Sequence, residues 1–205
     1  MIDAVILDLG NVLAFHDNAK LFREMARLFE TTIDAASSRL DATLWEGVNR
    51  GRYAGDALRR ELMCRFEIEV AERDWYDVWN CHFEINTSMV RLVETLVGKV
   101  RLVLLSNTHD LHFNFLRPQI PILERFDGLT LSYEVGAIKP EPDIFEHALR
   151  QANVAADRSV FFDDVETYVQ AASRFGIHRR LFTSAENCAR DLEALGLNIG
   201  PSVPG

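Results

Sequence analysis

Residues 5 to 15 read VILDLGNVLAF, almost at the start of the chain. The run is apolar until one carboxylate, Asp8, and then turns through Gly10 and Asn11. A short apolar run without alternation predicts a strand covered on both faces, as in a parallel sheet. Asp8 would then stand at the strand's carboxyl end, where open α/β sheets bind their ligands. This stretch alone leaves two readings of Asp8 open: a nucleophile or metal ligand, or a residue that caps a turn.

Working outward, the first predicted strand covers 2–8. RLVLLSN (101–107) and SVFFDD (159–164) are two further apolar runs ending in polar residues, and RRLFT (179–183) is a weaker one. Between them, apolar residues recur at helical spacing over 89–97, with Ser88 as the expected cap, and over 142–152, with Pro142 at the first helical position. Helices are also expected over 166–175 and 185–195. Strands alternating with helices predict an open α/β sheet.

Residues 16–87 differ. NAKLFREMARLFE (18–30) is amphipathic, with Leu21, Phe22, Met25, Leu28 and Phe29 near one face. Further helices are expected over 34–46, 57–66 and 71–82, with breaks at 47–55 and 68–70, and no strand pattern intervenes. The expected organisation is an α/β core from 1–15 and 88–205, interrupted by an all-helical domain at 16–87. The tail GPSVPG (200–205) is expected to fray.

With 205 residues, 48% of them hydrophobic, the chain can build one good core and a subdomain, not two large domains. A net charge of -9 leaves no basic excess to displace counterions, so no nucleic-acid partner is expected. Cys64, Cys81 and Cys188 lie outside metal or disulfide spacing and suit free thiols in a reducing compartment. No apolar run approaches a membrane span, and the N-terminus enters a strand directly. The expectation is a cytoplasmic protein, monomer or homodimer, with a small-molecule partner and no membrane contact.

Four polar clusters fall at strand ends or their loops: Asp8; Ser106, Asn107 and Thr108; Lys139 in VGAIKPEPDIF; and Asp163 with Asp164. Only three lysines exist, Lys20, Lys99 and Lys139, so a lysine in such a place carries weight. The set is consistent with phosphoryl transfer. A carboxylate can attack phosphorus and form an acyl phosphate, provided the meeting of two anions is compensated. Asp8, Asp163 and Asp164 can hold a magnesium ion, Lys139 can bridge nucleophile and phosphate, and Ser106 and Asn107 can donate to phosphate oxygens. Taken singly, each residue also suits a cap or a turn.

Their order resembles that of the haloacid dehalogenase superfamily over nearly the whole chain. Asp8-Leu9-Gly10-Asn11-Val12 stands for its first motif, Ser106 in VLLSNT for the second, Lys139-Pro140 for the third, and Asp163-Asp164 for the fourth. The resemblance implies a Rossmann-like parallel sheet, a helical cap over the site and Mg2+ as cofactor. It also implies an Asp8 nucleophile, and a Gly10 that lends its backbone carbonyl to the metal. The wording of the motifs is most similar to sugar-phosphate phosphatases of the glucose-1-phosphate type.

Two departures stand out. Gly10 replaces the acid that in the family protonates the leaving group, and His16 or Asp17 is the candidate substitute. Val165 and Tyr168 follow the acidic pair where the family carries polar residues that orient the metal ligands. In the cap, Asn49, Arg50, Arg52 and Tyr53 are expected to meet the substrate, an arginine suiting an anion. The competing reading is a binding or regulatory protein on the same fold, weakened by the Gly10 change. Carbon–halogen cleavage is disfavoured by the retained acidic pair. Phosphonate cleavage would need a cap lysine, for which Lys20 is the candidate. A receiver domain carries its acidic pair first and its lysine last, the reverse of the order here.

Overall fold

The N-terminal apolar run becomes β1 (Ala4–Leu7), four residues all fully buried. The structure is a computed structural model and describes residues 1–199; the tail expected to fray, 200–205, lies outside them. β1 is followed by β2 (Ala14–His16) and five helices: α1 (Asn18–Leu28), α2 (Ile33–Arg39), α3 (Ala42–Asn49), α4 (Asp56–Phe66) and α5 (Glu72–Asn80). Next come β3 (Phe83–Ile85), α6 (Thr87–Leu96), β4 (Arg101–Ser106), α7 (Asp110–Leu116), β5 (Gly128–Leu131) and α8 (Ser132–Val135). The chain then runs through α9 (Pro142–Ala152), β6 (Ser159–Asp163), α10 (Glu166–Ser173), β7 (His178–Leu181) and α11 (Ala185–Ala194).

Five strands form one parallel sheet in the order β5-β4-β1-β6-β7. Because side chains alternate across a strand, each strand feeds both faces. Val5, Leu7, Leu102, Leu104 and Phe162 pack on one face with Met89, Val93 and Leu192 from α6 and α11. Ile6, Val103, Leu105 and Phe161 pack on the other with Phe145, Ala148 and Val169 from α9 and α10. Side chains of this size each stabilise the fold by about 1.5–3 kcal/mol when fully buried, so this double-sided core fixes the register. Leu7 lies beside Leu104 on one side and Phe162 on the other. One step further along stand Asp8 and Asp163, and one step beyond Leu105 stands Ser106, so all three emerge at a single carboxyl edge.

Helices α1–α5 gather around their own apolar cluster, which includes Leu21, Met25, Phe29, Leu58, Trp75 and Trp79. Several differences from the sequence pattern have local causes. The single helix expected over 34–46 is two helices, because Asp41 accepts from the Leu44 N–H and caps a new one. The cap of α6 is Asn86, not Ser88; its Oδ1 accepts from the Met89 N–H while its Nδ2 donates to the Val12 carbonyl. Phe83–Ile85 pairs antiparallel with Ala14–His16, a short ribbon in a region expected to be free of strands. β5 was likewise not expected; four residues opening on glycine leave little pattern to read.

Candidate active site

Sheet register brings the first and fourth motifs together. The Asp8 N–H donates to the Phe162 carbonyl at 3.1 Å, while Asp8 Oδ1 accepts from the Leu9 N–H at 2.7 Å. Lys139, fully buried, reaches across with Nζ 2.9 Å from Asp8 Oδ1 and 2.6 Å from Asp163 Oδ2. Burial pulls the lysine's affinity for its proton down, but the two carboxylates outweigh that and hold it above its ordinary value. Burial pushes Asp8 up to about 6; Lys139 draws it down again and Asp163 adds to the rise. Ligand oxygens of Asp8, Asp163 and Asp164 lie within 4.8 Å of one another. Three carboxylates against one lysine leave two negative charges uncompensated at short range. Such an all-oxygen cluster fits a hard divalent cation.

The remaining residues hold this arrangement. Asn107 accepts from the Lys139 N–H at 2.7 Å and donates to the Lys139 carbonyl at 3.1 Å, clamping the lysine's backbone. Ser106 ends β4, is buried, and lines the cavity above the site. Val165 orients the acidic pair through its backbone, its N–H donating to Asp163 Oδ1 at 2.8 Å, so its apolar side chain is no handicap. The Tyr168 ring lies 5.1 Å from Lys139 Nζ and offers it a π face.

Asn11 is a positioning residue that sequence reading passed over. It takes the left-handed conformation, φ 52°, which asparagine tolerates better than most residues. Its Nδ2 donates to Asp164 Oδ2 at 2.8 Å, and its Oδ1 accepts from the His16 N–H at 3.4 Å.

The two candidates for the missing acid separate cleanly. Asp17 is exposed and occupied as the cap of α1, accepting from the Lys20 N–H. His16 instead sits against Gly10: a Cβ built on that glycine would lie 3.6 Å from His16 Cε1, 3.7 Å from Nδ1 and 3.9 Å from Asp8 Oδ2. The imidazole thus stands where a side chain on residue 10 would extend. Partial burial lowers its proton affinity, and Asp164 opposes that.

Above the carboxylates lies a cavity of about 250 Å³. Gly10, His16, Ser106 and Asn107 form its floor, and Trp45, Asn49, His82, Phe83, His112 and Leu116 are among its walls. Of the expected cap contacts, only Asn49 lines it. Arg50 is taken by Glu141, Glu46 and the Gly136 carbonyl. Tyr53 packs over Gly47, and Arg52 is not among the lining residues. The cap docks on the core through that Arg50–Glu141 pair, through the Gly55 N–H to Asp110, and through Trp79. Trp79 Nε1 donates to His109 Nε2, and His112 Nε2 donates to the Trp79 carbonyl.

A parallel sheet with acids and a buried lysine at one edge, under a helical cap, defines a hydrolase built on an α/β core. The family model for haloacid dehalogenase-like hydrolases matches residues 2–176. The chain belongs to that family. It is 24% identical over 187 residues to the D-ribitol-5-phosphate phosphatase of Bacteroides thetaiotaomicron, covering 86% of this chain and 89% of that protein. A sesquiterpene phosphatase of Aspergillus oryzae is 26% identical over 177 residues, covering 85% and 86%. Among solved structures, a haloacid dehalogenase-family enzyme from B. thetaiotaomicron in complex with magnesium and inorganic phosphate superposes with a TM-score of 0.81. It is 24% identical, with 90% of this chain and 96% of that one covered.

Proposed function

We propose that this chain is a magnesium-dependent phosphoric monoester hydrolase of small phosphorylated metabolites, sugar phosphates foremost, acting through an aspartyl-phosphate on Asp8. The observation that carries the reading is the Lys139 ammonium bridging Asp8 and Asp163 inside a three-carboxylate cluster. The relatives' activities support it, since the matched proteins from B. thetaiotaomicron and A. oryzae are both phosphatases. Asp8, Asp163, Asp164 and the Gly10 carbonyl would hold the Mg2+, which when bound supplies charge compensation for an attacking carboxylate and its phosphate target.

This chain's own residues divide the work. A carboxylate oxygen of Asp8 attacks phosphorus; the new O–P bond forms as the P–O bond to the alcohol breaks. Lys139 holds Asp8 in place and offsets part of the accumulating charge, and Ser106 donates to a phosphate oxygen. His16 gives its proton to the leaving alkoxide. It then takes a proton from the water that hydrolyses the acyl phosphate, which returns Asp8 and releases inorganic phosphate. Burial of Asp8 keeps competing water from solvating it before attack.

The test is phosphate release from sugar phosphates with and without added Mg2+, for the wild type and Asp8→Asn. Turnover that needs the metal and vanishes in Asp8→Asn is expected. Turnover that persists in Asp8→Asn would sink the nucleophile assignment, and no turnover with unchanged phosphate binding would favour a binding protein on this fold.

A further inference from the structure

The charge of the site sits in Asp8, Lys139, Asp163 and Asp164 beside the cavity, whereas the lining of the cavity itself carries none. Among the described residues, none that lines the cavity is a lysine, arginine, aspartate or glutamate. One wall is aromatic: Trp45 stacks on Trp79 with ring centroids 5.3 Å apart, and Phe83 meets His112 edge-on at 4.8 Å. The polar groups that interrupt it are amides and imidazoles, Asn18, Asn49, His82 and His112. Both of those imidazoles stay neutral at ordinary pH, since burial depresses His82 to about 4 and His112 well below the usual histidine range. Lys20 and Asp17 act on His82 from outside the lining, with opposite signs. Arg50, the cap arginine expected to meet an anion, is already paired with Glu46 and Glu141.

We infer that the far end of this cavity is a leaving-group subsite for an uncharged alcohol of about monosaccharide size or smaller, and that it rejects substrates carrying a second anionic group. The inference rests on the phosphatase reading above and specifies its substrate class. A second carboxylate or phosphate would have to shed water against aromatic faces and neutral donors, with no cation to pair with. Hydroxyl groups, in contrast, find amides and imidazoles that both donate and accept, and the carbon skeleton covers the Trp45 and Phe83 faces. The volume of about 250 Å³ limits the alcohol to about monosaccharide size.

The experiment compares kcat/KM in pairs that differ by one anionic group: glucose 6-phosphate against 6-phosphogluconate, and ribitol 5-phosphate against ribulose 1,5-bisphosphate. p-Nitrophenyl phosphate serves as an independent reporter of the chemistry. A preference for the neutral member of more than tenfold is expected, with about a hundredfold as the central value for an unpaired buried charge. Asn49→Lys, which sets a cation on the wall at the C-terminal end of α3, should narrow the preference at least tenfold. A preference of tenfold or less in the wild type overturns the inference, as does hydrolysis of p-nitrophenyl phosphate with all four metabolites untouched. A preference that Asn49→Lys leaves unchanged overturns the attribution to this wall. Failure to hydrolyse p-nitrophenyl phosphate overturns the phosphatase reading itself, and the subsite with it.

Discussion

Replacing His16 with alanine isolates the proton transfer. The imidazole is within 3.6–3.7 Å of where a residue-10 Cβ would sit, and among the described residues the next nearest titratable side chain is Asp8, at 3.9 Å. A positioned general acid is worth about 10²–10⁴ in rate, or ~3–5 kcal/mol of barrier. That loss should fall on alkyl phosphates, whose alkoxide needs the proton. It should shrink to less than about tenfold on p-nitrophenyl phosphate, whose phenolate leaves unaided. Rescue tests the geometry. Contacts of 3.6–3.9 Å are ordinary van der Waals distances, and Gly10 is not among the glycines with positive φ, so an L side chain fits there. Gly10→Asp in the His16→Ala background places a carboxyl where the ring stood and should recover at least tenfold of the lost alkyl-phosphate rate. In steady-state assays across leaving groups, an equal loss on alkyl and aryl phosphates would refute the argument, because a structural defect makes no such distinction. So would His16→Ala turning over alkyl phosphates at the wild-type rate.

Three further outcomes follow from the geometry. Gly51→Ala puts a Cβ 2.5 Å from the Tyr133 carbonyl at φ 76°, whereas Gly98→Ala meets the same φ with nothing within 4 Å; both should lose about 1 kcal/mol for the left-handed conformation, and chemical denaturation should show Gly51→Ala losing at least as much again, equal losses refuting the close approach. Arg50→Ala removes a partly exposed tether between cap and core, so stability should change by less than about 1 kcal/mol while KM rises several-fold and loses its salt dependence; a KM with wild-type salt dependence would count against the tether. Buried and held neutral, His82, His109 and His112 have native proton affinities far below the unfolded value near 6.5. The unfolded chain therefore gains protons first as pH falls, and stability drops below pH 6.5 by up to about 1.4 kcal/mol per unit for each ring. Asp8, raised to about 6, runs the other way between about 6 and 4 and offsets roughly one of the three. Denaturation midpoints that stay flat from pH 7 to pH 4.5 would contradict this.

The parts of the fold legible in the sequence are those where one physical signal dominates. VILD, RLVLLS and SVFFDD are buried on both faces, and their continuous apolarity says so directly. Asp8, Lys139, Asp163 and Asp164 are legible as a set because polar residues at strand ends and in the loops that follow have few other reasons to recur in that order, and they do converge. Gly128–Leu131 was not legible, since four residues carry too little pattern, and neither was Phe83–Ile85, whose partner lies nearly seventy residues away. The expected contact by Arg50 failed because complementarity to an anion is a property that Glu141, far along the chain, satisfies first. Walls made of Trp45, Phe83, His82 and His112 come from α3, from β3 and the turn before it, and from α7, and no local spacing marks them.

A glycine at residue 10 bears on the charge of the site as well as on the proposed proton transfer. Asp8, Asp163 and Asp164 contribute three negative charges and Lys139 one positive, leaving two. A divalent cation would bring that sum to zero, whereas a fourth carboxylate at residue 10 would leave it negative when ionised. An imidazole at the same point alternates between neutral and positive, so it never opposes the incoming phosphate dianion. Coulomb repulsion between unit charges 4 Å apart costs about 4 kcal/mol at an effective dielectric of 20. If His16 carries the proton as proposed, that repulsion is absent on the approach of substrate. It also ties proton transfer to the β2–β3 ribbon, where His16 pairs with Phe83 of the leaving-group wall. The proposed proton donor and part of the proposed alcohol subsite are therefore carried on one two-stranded element, so a shift of that ribbon would move both relative to Asp8.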